Sequence, residues 1–222
     1  MPAQKSLRSG GERKAALAPE NQDRRRRDTR AQILDVAENL VQTRGFNGFS
    51  YADVAAQVGV TTASLHYHFP GKNRLGEALI ERWTSRHMSA LAAIETKHAT
   101  APARLAAYAD LYSGVSRGKR LGLCGMLAAE HQTLPPRMRE LVATFLTANQ
   151  DWLERVLDAG RDDSGLAFDG PAREAALVIL AGIQGASLVA RPHRDADCFR
   201  TVARGLLAAV AREPQRRVKN RS

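Results

Sequence analysis

Hydrophobic positions recur at helical spacing between Thr29 and Leu79. The first set falls at i, i+1, i+4, i+7 and i+8, which predicts a helix with one buried face. Its members are Ile33, Leu34, Ala37, Leu40 and Val41. Either Asp28 or Thr29 is the predicted N-cap of this helix, and Gly45, just past its end, can adopt positive φ.

Two shorter helical patterns follow the first. The second is predicted to begin at Ser50, with Asp53 three residues later as an acidic form of the capping box. Gly59 supplies a tight turn, and the third helix is predicted from Thr61 to about Phe69, with Leu65 facing inward. A glycine turn between two short helices, with small polar residues outside, is typical of a helix-turn-helix that enters the major groove. Small helical bundles that bind no nucleic acid share the same periodicity.

The stretch resembles the DNA-binding domain of the tetracycline-repressor (TetR) family of bacterial regulators. The resemblance rests on Thr29, Arg30, Ile33, Leu34, Ala37, Gly45, Phe46, Ser50, Val54, Ala55, Gly59, Val60, Leu65, Tyr67, His68, Phe69, Lys72 and Leu75. It implies an all-α fold, with a three-helix helix-turn-helix domain at residues 29–75 and a larger ligand-binding and dimerisation domain at residues 76–212. The chain departs from the family pattern at Thr62, where Lys is common, and at His66, where Tyr is common.

Polar side chains of this domain are the expected DNA contacts. The predicted DNA-binding residues are Arg30, Ser50, Tyr51, Thr61, Thr62, Ser64, His66, Tyr67 and Lys72. We expect Ser50, Tyr51 and Lys72 to hold phosphates, and the residues of the third helix to face the groove. His66 and His68 are about 160° apart around a helix and cannot share a metal ion. No metal site and no cofactor are expected.

The net charge of +10 is concentrated at the two ends of the chain. Residues 1–30 hold nine Lys and Arg against four Asp and Glu, and residues 212–222 hold five against one. Residues 28–75 hold four of each sign. Long-range attraction to DNA is therefore expected to come from the ends and not from the helix-turn-helix itself.

Few aliphatic residues and many charges predict a disordered basic arm at residues 1–28 and a basic tail at residues 213–222. Arg24 to Arg27 form a run of four arginines beside the first predicted helix. Such arms contact phosphates or the minor groove in other helix-turn-helix proteins. The alternative is a solvated tail with no contact to DNA.

Periodicity and proline breaks predict six more helices and no strand. Their predicted bounds are Lys72–Lys97, Ala103–Gly118, Leu121–Thr133, Pro136–Ala159, Pro171–Ala190 and Asp195–Arg212. The resemblance implies a homodimer whose interface is a four-helix bundle, which we place on Pro171–Arg191 and Asp195–Arg212. A two-fold dimer suits a palindromic operator. The alternative for the very apolar eighth helix is a purely intramolecular core helix.

The sixth predicted helix carries a second resemblance. Its sequence GLCGMLAAEHQTLPP is similar to the sensor segment of the N-ethylmaleimide- and acrylate-responsive repressors of the same family, which implies that Cys124 is a reactive thiol. The alternative is that Cys124 is a small buried hydrophobic residue. A cavity for a small-molecule inducer is expected among the fourth to eighth helices. Its predicted lining residues are Trp83, His87, Tyr108, Tyr112, Cys124, Met126, His131, Phe145 and Trp152.

Several classes of protein are disfavoured. No secretion signal or membrane span is apparent, and two cysteines without paired spacing fit the cytoplasm. No Gly-x-Ser-x-Gly, HExxH or phosphate-loop motif is present, so an enzyme is not expected. The predicted function is a ligand-responsive transcriptional regulator, most simply a repressor, associated with the nucleoid when DNA-bound. A non-specific architectural DNA binder and a ligand-binding protein without DNA function remain as alternatives.

Overall fold

The computed structural model describes residues 19–117, 121–163, 165–193 and 196–211. The described chain is all α, as predicted. Its helices are α1 (Pro19–Arg44), α2 (Tyr51–Val58), α3 (Thr62–His68), α4 (Lys72–Lys97), α5 (Ala101–Arg117), α6 (Leu123–Ala129), α7 (Pro136–Asp162), α8 (Ala172–His193) and α9 (Ala196–Ala208). A 3-10 turn at His131–Thr133 follows α6. Within the described ranges, the only bridge of strand type is an isolated one between Leu166 and Ala211.

Local signals fix α2 and α3 where the sequence places them. The Ser50 hydroxyl accepts from the Asp53 amide at 3.3 Å, and the Asp53 carboxylate accepts from the Ser50 amide at 2.7 Å, so the predicted capping box is confirmed. Gly59 has φ of 77° and ends α2 in the left-handed conformation. The Thr61 hydroxyl caps α3 by accepting from the Ser64 amide at 3.1 Å. These caps set the short turn between the two helices.

The start of α1 differs from the prediction. The helix begins at Pro19, so Asp28 and Thr29 lie inside it and neither is its N-cap. The prediction of a disordered arm is therefore wrong for residues 19–28, and residues 1–18 lie outside the described chain. The physical reason is that arginine and glutamine are good helix formers, so a polar segment with little hydrophobicity can extend a helix already stabilised by packing.

Other helix bounds differ by a few residues. Helix α6 stops at Ala129 and gives way to the 3-10 turn, and α7 continues to Asp162. Helix α8 passes through Pro192, whereas the prediction ends it before that residue. A proline removes one amide hydrogen bond and crowds the carbonyl four residues earlier, but only one residue of α8 follows Pro192, so little of the helix is affected.

Two buried clusters hold the fold together, and the first crosses the predicted domain boundary. It joins α1–α3 to α4, α6 and α7 through residues that include Ile33, Leu40, Leu65, Leu79, Leu123, Leu127, Met138 and Phe145. The second joins α4, α5 and α7–α9. The division at residues 75 and 76 stays a prediction, but the hydrophobic core is continuous across it.

Helix α8 packs against α7 and α9. In the described part of the chain it is the one helix long and apolar enough, by length and composition, to cross a membrane, with mean hydropathy 1.5 over Ala172–Pro192. Its inner face, including Ile179 and Ile183, is buried in the second cluster. The apolar residues on this side of α8 are therefore part of the hydrophobic core.

Candidate DNA-binding surface and ligand site

The outer face of α3 is a polar and aromatic surface. Thr62, His66 and Tyr67 are exposed, and the Tyr67 side chain is 63% accessible. Ser64 is half-buried, and Leu65 is completely buried beneath the helix. The short helix is thus anchored by one leucine and presents its polar side chains outward, the arrangement required for entering a groove.

Three of the predicted DNA contacts also position α2 and α3. Besides the caps formed by Ser50 and Thr61, the Tyr51 hydroxyl donates to the Phe69 carbonyl at 2.9 Å. Burial raises the pKa of Tyr51 to about 12, so this hydroxyl stays protonated and able to donate. The Tyr51 ring lies 4.8 Å from the ring of His66. Tyr51 therefore ties the C-terminal half of α3 to α2.

Lys72 lies in a different environment from the one expected of a phosphate ligand. Its ammonium donates to the Phe49 carbonyl and lies 4.7 and 4.4 Å from the ring centroids of Phe46 and Phe49. The side chain is half-buried, and burial lowers its pKa. Lys72 thus stabilises the link between α1 and α2 through a hydrogen bond and cation–π contacts.

The arginines of α1 lie beside α3. The Arg26 guanidinium is 5.0 Å from the ring of Tyr67, and that of Arg30 is 4.9 Å from the ring of Phe69. Arg24 and Arg25 are exposed on the preceding turn. Because α1 extends farther than predicted, it carries these charges in a rigid helix next to the exposed face of α3.

A carboxylate directly after α6 reaches the turn that follows α1, a contact that the sequence did not reveal. Gly45 ends α1 with φ of 84°, as predicted. The Glu130 carboxylate accepts from the Phe46 amide at 2.6 Å and from the Asn47 amide at 3.3 Å. The Asn47 side-chain amide also donates to Glu130, and to the Thr133 hydroxyl at 2.7 Å.

Helix α8 contacts the same end of α1 through a residue near its own C-terminus. The Arg191 guanidinium donates to the Thr43 carbonyl at 2.6 Å, which satisfies a carbonyl in the last turn of α1. The Leu121 amide approaches the Gln42 carbonyl at 3.5 Å. We call the contacts of Glu130, Thr133, Arg191 and Leu121 with the end of α1 the α1 junction. It connects the helix-turn-helix to α6 and α8.

Five of the predicted ligand residues meet in a buried aromatic cluster centred on Asn149, which we call the Asn149 cluster. The Asn149 side-chain oxygen lies 2.7 Å from His87 Nε2 and 3.4 Å from the hydroxyls of Tyr108 and Tyr112. Its amide nitrogen donates to the Phe145 carbonyl at 2.8 Å, so the oxygen accepts and His87 Nε2 donates. The Trp152 ring stacks on Tyr108. Burial lowers the pKa of His87, which is therefore neutral at pH 7.

The other predicted ligand residues lie elsewhere. Trp83 lines a small cavity of about 170 Å³ with His87 and Tyr112, at the edge of the Asn149 cluster. Met126 belongs to the first hydrophobic core. His131 is exposed on the 3-10 turn, so the prediction that it orients a ligand in the cavity is wrong. It falls outside because α6 ends before it.

Cys124 is completely buried, and burial raises the pKa of its thiol above the ordinary range. The basic side chains near it in sequence lie outside the described residues. A thiol in apolar surroundings stays protonated and reacts slowly with electrophiles. Cys198 in α9 is half-exposed.

We expect N-ethylmaleimide to modify Cys198 in the native protein at least tenfold faster than Cys124, because only a thiolate with access to solvent reacts readily. Peptide mass spectrometry of timed samples gives both rates, and labelling in denaturant is the control that should make them equal. If Cys124 is modified faster, and if N-ethylmaleimide releases the wild-type protein from DNA but not Cys124→Ser, the electrophile-sensor interpretation would be restored.

Asn149→Leu is expected to lower the free energy of unfolding by about 3 kcal/mol, because His87, Tyr108 and Tyr112 lose a shared buried acceptor. Urea denaturation measures the change. Asn39→Leu, the same substitution at an exposed position of α1, should change stability by less than about 0.5 kcal/mol. Equal effects at the two positions would mean that the Asn149 hydrogen bonds contribute nothing.

An apolar strip covers the outer face of α8. Leu177, Val178, Leu188 and Val189 are 52%, 61%, 47% and 53% exposed, and Val202 of α9 is 37% exposed. A contiguous patch of this kind is typical of a protein interface. Gly185 in the same face has open space where a side chain would extend, which allows another backbone to approach closely.

Known proteins share this arrangement along most of the chain. A family model described as bacterial regulatory proteins, tetR family, matches residues 33–79, and one described as tetracyclin repressor-like, C-terminal domain, matches residues 101–206. The solved structure of a TetR-family transcriptional regulator from Agrobacterium tumefaciens is 31% identical, with TM-score 0.82, and the alignment covers 84% of this chain and 100% of that one.

A second relative is the HTH-type transcriptional repressor NemR of Escherichia coli. It is 28% identical over 172 residues, which are 76% of this chain and 86% of NemR. The crystal structure of its reduced form superposes with TM-score 0.73 at 25% identity, over 83% of this chain and 98% of that one. Similarity to both relatives extends through the helices that follow the helix-turn-helix.

Proposed function

Because the chain belongs to the tetracycline-repressor (TetR) family of bacterial regulatory proteins, we propose that it represses transcription from a palindromic operator and is released by a small-molecule ligand. It is a ligand-responsive, DNA-binding transcriptional regulator. The observation that carries the proposal is α3: Leu65 and the Tyr51 hydroxyl hold it in place, and its polar outer face is exposed.

DNA contact divides between two groups of residues. Thr62, Ser64, His66 and Tyr67 face the groove and read base edges. Arg24, Arg25 and Arg30 on α1 neutralise phosphates beside it, supported by their exposure and by the position of α1 against α3. Ser50, Thr61 and Lys72 contribute mainly by holding the turns in place, although the amides at the helix starts remain phosphate donors.

The protein acts as a homodimer in the cytoplasm. The exposed strip of α8 and Val202 of α9 support an interface between copies, in the segments where the sequence places it. A two-fold axis through this interface would set the two α3 helices into successive major grooves of a palindrome.

Ligand binding reaches the DNA-binding end through the α1 junction. Glu130, directly after α6, and Arg191 of α8 both bond to the last turn of α1 or the residues just after it. A ligand that displaces α6 relative to α8 would pull on both contacts and change the spacing of the two α3 helices. Burial of Cys124 favours non-covalent binding over reaction with an electrophile.

Selection of DNA from a random duplex pool by the purified protein tests the proposal. We expect an inverted repeat with half-sites about one helical turn apart. Recovery of no shared sequence, with random duplex bound as tightly as any selected one at moderate salt, would favour the architectural DNA binder instead.

Replacing Arg24 and Arg25 by Gln should weaken binding to operator and random duplex by the same factor. The log–log salt slope should become shallower by about 0.9 for each phosphate that the variant no longer neutralises. Fluorescence anisotropy at several salt concentrations measures both quantities. Lys97→Gln with Arg155→Gln removes two exposed charges beyond the DNA-binding helices and should leave the slope unchanged. An unchanged slope in the α1 variant would mean that these arginines do not touch DNA.

A further inference from the structure

A cavity of about 380 Å³ lies between α6, α7 and α8, separate from the side chains expected to bind the ligand. We call it the α8 cavity. Its walls include Ala128 and Ala129 of α6, Thr147 of α7, and Leu177, Gln184 and Leu188 of α8. A volume of this size accommodates a small organic molecule of one or two rings.

The lining defines the chemistry of the occupant. Among the lining residues in the described chain none carries a charge, and the polar groups are Thr147, Gln150 and Gln184. A charged ligand would lose its hydration there without gaining a counter-ion, which is unfavourable by several kcal/mol. The α8 cavity therefore selects uncharged, mainly apolar molecules.

Gln184 supplies a polar group in the wall. Burial raises the pKa of the Tyr112 hydroxyl, and the neighbouring Gln184 side chain partly offsets that rise, so Gln184 lies beside the Asn149 cluster. A side chain at Gly125 would come within 2.6 Å of the Gln184 side-chain oxygen, so the glycine leaves room for this amide. An amide in this wall can orient a ligand carbonyl, hydroxyl or amine.

The mouth of the cavity opens on the exposed face of α8. Leu177 and Leu188 line the cavity, yet each is about half exposed, at 52% and 47%. Val178 and Val189 continue the same apolar surface beside them. Any molecule that covers this strip also covers the opening, and a second copy of the chain brings an identical apolar strip with it.

We propose that the α8 cavity binds an uncharged, mainly apolar small molecule and that a second copy of the chain closes its mouth. The inference rests on the proposed function for the existence of the dimer, and it adds the site, the ligand class and the need for the partner. A single chain presents an open, half-formed site, and the dimer presents two closed ones.

The same walls lead to the α1 junction. Ala129 in the cavity wall directly precedes Glu130, and Leu188 lies one turn before Arg191. Filling the cavity therefore acts on α6 and α8 close to the two residues that hold the end of α1. This position makes the α8 cavity suited to regulating the helix-turn-helix.

Two matched dyes test the ligand class. N-phenyl-1-naphthylamine is uncharged, and 8-anilinonaphthalene-1-sulfonate adds a sulfonate to the same ring system. We expect the neutral dye to bind one site per chain with an affinity at least tenfold above that of the anion. Equal affinities, both reduced by the same cavity substitution, would overturn the assignment to uncharged ligands.

Thr147 and Thr144 are both exposed on α7, but only Thr147 lines the cavity. Thr147→Phe therefore adds a ring at the cavity wall, and Thr144→Phe makes the same change one turn earlier, away from the cavity. The first should weaken neutral dye binding at least tenfold, and the second should leave it unchanged. Should Thr147→Phe fail to fold, Thr147→Leu serves as a smaller filler with the same expected direction. Full-affinity binding by a folded cavity variant would overturn the site.

Val178→Asp with Val189→Asp tests the partner, because neither residue lines the cavity. The folded monomer, verified by ultracentrifugation and circular dichroism, should bind the neutral dye at least tenfold more weakly than the dimer. If it does not fold, the milder Val178→Ala with Val189→Ala should make dye affinity depend on protein concentration. A monomer that binds as tightly as wild type would disprove closure by the partner.

Operator binding is measured separately on each variant. Dye binding that follows these expectations without any change in operator affinity would leave the site standing and contradict release by ligand. A small molecule that releases the operator equally well from wild type and from Thr147→Phe would support the proposed function. The same result would overturn the α8 cavity as the ligand site.

Discussion

Ser64→Ala combined with Tyr67→Ala is expected to weaken operator binding at least about 100-fold, because each base contact contributes about 1–3 kcal/mol. Tyr67 is a large, 63% exposed side chain of α3, and Ser64 precedes the buried anchor Leu65. Anisotropy titration against the selected operator measures the effect. Affinity for random duplex should fall much less, since phosphate contacts from α1 remain.

Folding and dimerisation of this double variant serve as its controls. Circular dichroism should show unchanged helicity, because Tyr67 is exposed, Ser64 is small and only half-buried, and the Thr61 cap uses the Ser64 backbone amide. Ser89→Ala, an exposed serine on α4, should bind the operator as wild type does. Wild-type affinity in a folded double variant would remove α3 from sequence recognition.

Glu130→Ala is expected to lower the free energy of unfolding by about 3 kcal/mol and to reduce the effect of ligand on operator affinity severalfold. The carboxylate accepts from the amides of Phe46 and Asn47, and hydrogen bonds to a charged group contribute about 1.5–3 kcal/mol each. Urea denaturation and operator titration with and without ligand measure the two effects.

Glu140→Ala is the matched control for this substitution. Glu140 is exposed and pairs with Arg137 on the surface of α7, where an ion pair contributes less than about 1 kcal/mol. Glu130→Gln keeps an acceptor oxygen and should fall between wild type and alanine. A Glu130→Ala protein with unchanged stability and an unchanged ligand response would show that the α1 junction transmits nothing.

The sequence predicts α2, α3 and their turns well because their signals are local. Ser50 caps α2 through Asp53, and Gly59 takes the positive φ of a sharp turn, so a window of a few residues determines each feature. The outward position of Tyr67 follows from the same periodicity, since Leu65 must face the core. Periodicity also predicts the aromatic members of the buried cluster, although it gives no sign of Asn149 at its centre.

Contacts between distant parts of the chain lie beyond sequence reasoning. Glu130 is 84 residues from Phe46, and Arg191 is 148 residues from Thr43. No periodicity relates such pairs, and each side chain resembles an ordinary solvated charge. Lys72 is a further example. The sequence suggests only a phosphate contact for it, because its hydrogen bond to the Phe49 carbonyl depends on how α4 packs. The α8 cavity likewise requires three helices to be placed together.

The hydrophobic core that runs from α1 into α6 and α7 has a consequence for building chimeric regulators. Grafting the helix-turn-helix onto another sensor by cutting near residue 75 would separate Ile33, Leu40 and Leu65 from the rest of this cluster and leave them facing foreign neighbours. It would also leave the Phe46 amide without its carboxylate. A functional chimera should include, together with the helix-turn-helix, the sensor surface that contacts α1. Alternatively, the graft should exchange only the outward residues of α3. New operator specificity is therefore more readily engineered by recoding α3 in place than by exchanging whole domains.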